Sequence, residues 1–350
     1  MTKKVSPPNL DDLRRLLAIP EINTGRRIYL FGHCASPVTD DVEGLHALAD
    51  EQGRIHLLSG VEHAMELYRG QTQEYARCMP TLARLEKIEE RFLALCRRLA
   101  FEDAIGEHPM VRLAEQVRFL DSPLFIDYEG LAQHYGLATD MLDVTSNFDV
   151  ASFFATCTWS ADQRRYQPVR SDSATGVMYR IPAFFMINPA NPDQEDPLRI
   201  VGWQPLPRPA QQRALAVKLK SGQDFASLPM VETFRFRHQE HISHRIWNAF
   251  QQDDALFPSD AAAELADRAA FLATFTASQI ERAWQRLMHW TGITYDTDVR
   301  KQIQISCGVT EIDKPCLSWD GLDIETSEER LMEQLNEVLN QVRYRMAAYL

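Results

Sequence analysis

The chain has 350 residues, of which 45% are hydrophobic and 25% charged, and its formal net charge is −12. That composition is ordinary for a folded globular protein, and the length suits one large domain or two modest ones. The acidic balance excludes a broad electrostatic grip on nucleic acid, which needs clustered Lys and Arg, but leaves room for a local basic groove.

In chain order, a polar, Pro-containing start leads into a short helical pattern over residues 10–19. Residues 27–31 and 54–58 have the β-branched and aromatic content of short strands. Residues 81–100 read as a helix, because Leu82, Leu85, Ile88, Phe92, Leu95, Cys96 and Leu99 recur every three to four residues with charges between them. After Pro109, the apolar positions Leu113, Val117 and Leu120 extend a second amphipathic stretch. Residues 176–181 alternate apolar and polar side chains and stop at Pro182, as a strand does. Six prolines between 188 and 209 predict a surface loop, and residues 214–219 and 231–236 predict two further strands.

From about residue 242 the spacing becomes helical, through Ile246 and Phe250, then 261–275 and 280–287, with a break at Pro258. Thr326 and Glu329 have the spacing of a capping box, ahead of a stripe of Leu331, Leu335, Val338, Leu339, Val342 and Met346. No internal repeat or low-complexity tract interrupts the chain. The expected organisation is an N-terminal extension over 1–60, an α+β core over 61–260 and a helical C-terminal region over 261–350. No apolar run approaches the ~20 residues of a membrane helix, and no signal peptide opens the chain, so no membrane role is expected. The six cysteines are scattered without a Cys-x-x-Cys pair, which reads as reduced, mostly buried thiols in a cytoplasmic protein.

The most informative segment is 131–155. The hydroxyl pair Thr145-Ser146 precedes the helical pattern Val150, Ala151, Phe154 and Ala155. Either Ser146 or Asn147 suits the N-cap, so the hydroxyls are expected at a strand-to-helix junction. Upstream stand Leu67-Tyr-Arg-Gly-Gln71 and Pro80-Thr-Leu-Ala-Arg84. Together with Gln133-His-Tyr-Gly-Leu137 and Leu142-Asp-Val-Thr-Ser146, these motifs make the chain resemble the FRG domain family from about residue 67 to 260. That family in turn resembles a divergent branch of the ADP-ribosyltransferase fold, which implies a split β-sheet core with helices that binds NAD as co-substrate.

Under that resemblance, Arg69 grips the diphosphate or a ribose edge with its rigid fork of donors. Gly70 lets the backbone approach the ligand. Thr145 and Ser146 hold the nicotinamide ribose, and Asp143, two residues earlier on the same strand, shares a face with Thr145. For Asp143, orienting a backbone or an Arg such as Arg84 stands beside a catalytic role. For His134 and Tyr135, a ring stacked on nicotinamide stands beside a core position with a satisfied hydroxyl. Active transferases of this fold supply a Glu. Here Arg208-Pro-Ala-Gln-Gln212 matches the family's Arg-x-x-x-Gln, so Gln212 takes the acid's place, without its charge. Ala214 and Asp140 depart from the family's Gly and Arg. Leu256-Phe-Pro-Ser-Asp260 matches a late family signature, and a helix stop with a Pro turn also explains it.

The expected catalytic set is therefore Arg69, Thr145 and Gln212. The expected activity is transfer of ADP-ribose to a nucleic-acid or protein acceptor, in a bacterial toxin with an antitoxin or chaperone partner. The rival expectation is an inactive NAD- or nucleotide-binding or protein-interaction module on the same fold. His238, Glu240, His241 and His244 lack the His-Glu-x-x-His spacing, so no metal is expected.

Overall fold

The computed structural model describes residues 7–17, 29–30, 33–34, 45–50, 52–59, 66–172, 174–182 and 198–343. Its centre is a six-stranded antiparallel sheet. The strands in chain order are β1 (Glu66–Gln71), β2 (Met141–Thr145), β3 (Thr175–Pro182), β4 (Leu198–Ile200), β5 (Ala214–Lys218) and β6 (Glu232–Arg237). In space they run β4-β5-β2-β1-β3-β6. Side-chain alternation divides the sheet into two apolar faces. Leu67, Leu142, Val144, Val177, Tyr179, Ile181, Leu215 and Val217 build one core. Tyr68, Met178 and Phe236 face the other way, beneath the helices α1 (Leu10–Leu17), α5 (Phe148–Thr156) and α6 (Glu240–Ala249).

Further helices include α2 (Ile88–Gly106), α3 (Pro109–Gln116), α4 (Tyr128–His134), α7 (Ala261–Ala269), α8 (Ala277–Thr291) and α9 (Glu328–Asn340). The long helix α2 is their hub. Phe92 stacks on Trp284 of α8 with ring centroids 4.2 Å apart. Phe101 and Ile105 share a core with Leu131 of α4 and Leu265 of α7. Trp290 at the end of α8 donates its indole N–H to the Leu219 carbonyl, 2.9 Å away, joining the helices to the sheet. The helices after residue 260 thus share their apolar cores with those before it.

Both secondary-structure classes expected for an α+β chain are present, with several local differences. The helix expected over 81–100 is a short turn at Thr81–Arg84 followed by α2 from Ile88. The Pro-rich stretch yields β4, an edge strand whose backbone pairs Ile200 with Leu215. Residues 183–197 lie outside the described residues, as does most of the strand expected over 27–31. Ser327, not Thr326, caps α9, accepting from the Arg330 N–H. Val342 leaves that helix to pair with Leu45 in a small second sheet, and Met346 lies outside the described residues. The apolar stripe of α9 packs through Leu331 and Leu335 on Met110, Leu113 and Ala114 of α3, rather than on the helices at 261–287. Among the described residues no helix is long and apolar enough to cross a membrane.

His108 caps α3, its Nδ1 accepting from the Met110 N–H at 3.2 Å, with its ring edge-on to Trp319. Burial pushes its pKa down to about 4. An unfolded imidazole titrates near 6.5, so the unfolded chain takes the proton first. The cap's contribution is complete above that value and is lost as pH falls towards about 4. His108→Asn keeps a cap acceptor that does not titrate. Melting temperatures at pH 7 and 4.5 are expected to fall less in the variant than in the wild type; parallel falls would remove this role from His108.

Candidate active site

The site begins at a gap in the sheet. Strands β1 and β2 are neighbours, yet Tyr68 and Thr145 are their one backbone pair, whereas β1 and β3 pair at six positions. Beyond that pair the strands part. Alternation sends Arg69 to the Leu67 face and Thr145 to the Tyr68 face. Through the gap both reach one cavity of about 590 Å³, a volume within the range of small-molecule sites. Its wall includes Arg69, Gly70, Arg84, His134, Asp143, Thr145 and Gln212.

Arg69 spans the gap. Its Nη1 donates to the Asp143 carbonyl at 2.6 Å, and its Nε is buried without a partner. Arg84 enters from the turn that follows Pro80, where its Nη2 donates to Thr81 Oγ1 at 2.7 Å. Burial lowers the Arg84 pKa first, and repulsion from the Arg69 guanidinium lowers it further. Two guanidiniums thus converge on one cavity, each bonded to a neutral oxygen rather than to a carboxylate. Such a pair is poised to accept an anion with several oxygens.

The opposite wall is the junction of β2 and α5. Asn147, not Ser146, is the N-cap, its Oδ1 accepting from the N–H groups of Asp149 and Val150. Thr145 Oγ1 accepts from the Asn147 N–H at 3.1 Å, so its own O–H remains to donate. Ser146 does not line the cavity; its Oγ is buried without a partner. Gly70 lines the cavity and also makes room for the helix. A Cβ there would fall 2.0 Å from the Ala151 carbonyl oxygen and 2.7 Å from the Ala155 Cβ. The missing side chain and the two alanines let α5 lie directly on β1.

Tyr135 takes the core position. Its ring packs in the helical cluster with Phe101 and Leu131, its hydroxyl donates to Asp260 at 2.8 Å, and the Arg208 guanidinium lies 4.5 Å above it. It faces a second cavity of about 650 Å³, not the first. Asp260 also caps α7, so the Leu-Phe-Pro-Ser-Asp segment is structural. The aromatic wall belongs instead to Phe154, Trp159 and Tyr166, which border both cavities. Trp159 and Tyr166 face each other across a hairpin, and Trp159 is 55% exposed. Sequence reasoning missed these rings and gave Arg84 no ligand role, although the Pro-x-Leu-x-Arg motif marked it.

Gln212 is occupied. Its Nε2 donates to the Leu256 carbonyl at 3.0 Å, which turns Oε1 towards His134 Nδ1 at 2.9 Å. That orientation places the ring proton on Nδ1. His134 Nε2 is buried without a hydrogen bond, 3.6 Å from Asp143 Oδ1. The Asp143 side chain is 42% exposed and accepts from the Gln133 amide. Among the described residues, Asp143 is the one carboxylate lining the first cavity. His238 Nε2 donates to the Thr72 carbonyl, and the described residues hold no cluster fit for a metal.

Residues 65–164 match the family model of the FRG domain, so the chain carries an FRG domain that contributes β1, β2, α4, α5 and the first strand of the aromatic hairpin, Cys157–Ser160. Gln212 and the 256–260 segment lie beyond that match. Comparison with curated proteins and with solved structures found no match for this chain.

Gly70→Ala forces a methyl group against helix backbone, which costs about 3 kcal/mol or more in a packed core. Denaturant unfolding is expected to show that loss. An unchanged midpoint would mean that α5 does not rest on β1 as described.

Proposed function

We propose that this chain binds NAD in the first cavity and transfers its ADP-ribose group to a macromolecular acceptor, a nucleic acid or a protein. The observation that carries this reading is the convergence of Arg69 and Arg84, without carboxylate partners among the described residues, on a cavity whose far wall offers the Thr145 hydroxyl. The arginines suit the diphosphate, and the hydroxyl suits a ribose oxygen. Phe154, Trp159 and Tyr166 offer ring faces to a flat heterocycle. Tyr135, Ser146 and Gln212 have no direct part in this reading. The cleavage itself is that of a glycosidic bond, through an oxocarbenium-like state that positions and charges must stabilise. Transfer inside a bacterial cell would consume NAD or mark the acceptor. We therefore infer a toxin of a defence or toxin–antitoxin system, held in check by an antitoxin or chaperone partner.

A second reading, an NAD- or nucleotide-binding module without transfer, draws on Gln212, whose amide is engaged at both ends by the protein itself.

Arg69→Ala is expected to weaken NAD binding by roughly 2–3 kcal/mol, the worth of a lost charge-assisted contact. Calorimetry on the wild type, Arg69→Ala and Arg84→Ala measures this directly. Equal affinities, or no binding by the wild type, would overturn the assignment. Uncontrolled expression of the wild type is expected to arrest growth and that of Arg69→Ala to be tolerated at equal protein levels. Harmless wild-type expression, with no label passed from NAD to any lysate component, would favour the binding module.

A further inference from the structure

The Gln212 amide is engaged at both ends, by His134 and by the Leu256 carbonyl, and it carries no charge. The position it was expected to fill needs a negative charge, because the bond to nicotinamide breaks with positive charge growing on the ribose carbon. Asp143 offers that charge. It is the one carboxylate on the first cavity among the described residues, and it also borders the second. The other carboxylates of the second cavity are engaged: Asp253 and Asp254 with Arg165, and Asp267 with Arg164.

The contacts of Asp143 hold it without neutralising it. The Gln133 amide donates to Oδ1, while His134 Nε2, which carries no proton, lies 3.6 Å from the same oxygen without a bond to it. His134 is itself held by Gln212, whose amide keeps the ring proton on Nδ1. Gln212 thereby positions the His134 ring, which packs beside the Asp143 carboxylate. Arg69 grips the Asp143 carbonyl, so the residue that would bind the diphosphate also fixes the backbone of the carboxylate.

We propose, resting on the reading above, that Asp143 is the catalytic carboxylate of this site. As the ribose–nicotinamide bond breaks, its electron pair passes to the pyridinium nitrogen and nicotinamide leaves neutral. The Asp143 carboxylate faces the cation left on the ribose carbon. An acceptor O–H or N–H arriving from the second cavity then forms the new bond to that carbon, and its proton passes to Asp143 and on to water. Atoms and charge balance without a further reactant.

The test assays nicotinamide release from NAD and calorimetric NAD binding for the wild type, Asp143→Asn, Asp143→Ala and Gln212→Leu. Asp143→Asn is expected to bind NAD within about threefold of the wild type but to release nicotinamide at least ~100-fold more slowly, the lower range for removing such a group. Added formate, a small carboxylate, is expected to restore part of the rate in Asp143→Ala. Gln212→Leu is expected to be slowed less than Asp143→Asn. Wild-type rates in Asp143→Asn overturn the proposal. Loss of NAD binding in parallel with the rate, without formate rescue, also overturns it by making Asp143 a residue that shapes the cleft. A wild type that binds no NAD defeats the proposed function itself, and one that binds NAD but releases no nicotinamide selects the binding module and ends a catalytic role for Asp143.

Discussion

The site depends on the parting of β1 from β2 after the single pair Tyr68 and Thr145, and on the Arg69 guanidinium that closes the gap onto the Asp143 carbonyl. A continued ladder would bond the two backbones and leave no cavity between them. An open gap without a donor would leave the Asp143 carbonyl unsatisfied, which a buried backbone group tolerates poorly. Arg69 resolves this with part of its fork and keeps its remaining N–H groups for another acceptor. Gly70 supports the same arrangement from the other face, where α5 rests on β1 and fixes the start of that helix beside Thr145.

A second interaction sets the wall that carries His134. The Arg199 side chain of β4 forms two 2.6 Å bonds to Asp127, which caps α4 by accepting from the Gly130 N–H. Glu129, two residues further on, meets Arg98, Arg199, Lys218 and Arg286. Burial works to raise its pKa, but these four cations outweigh it and hold the carboxyl down to about 2. Asp140 and Glu102 go the other way, raised first by burial, and in Asp140 next by repulsion from Glu129. Asp140 is therefore part of this buried ionic cluster and does not line the first cavity. Breaking a buried charge network is far more costly than forming it is favourable, so the cluster fixes the placement of α4 more than it adds to stability.

The elements with strong periodicity were legible. The long apolar repeat of α2, the alternation of β3 and the N-cap position before α5 all follow from local rules that the fold does not override. The same holds for the neighbouring placement of Arg69 and Thr145, which the ordered motifs announced. Boundaries and partners were less legible. The stripe on α9 demands burial, but nothing in its spacing selects α3 over the helices at 261–287. Val342 continues the helical pattern in sequence, yet a vacant strand edge at Leu45 claims it.

What the chain by itself determined was an α+β protein carrying an FRG domain, and that Arg69 and Thr145 stand near one another. Those properties rest on short-range spacing and on motif order, which are readable residue by residue. Only the tertiary structure decided which polar atoms remain free for a ligand. Gln212 and Tyr135 look available in sequence and are consumed by Leu256, His134 and Asp260 from distant segments. Asp143 and Arg84 look ancillary and retain unspent charge towards the cavity. Hydrogen-bond satisfaction is a sum over all neighbours in space, and no window of sequence contains the terms.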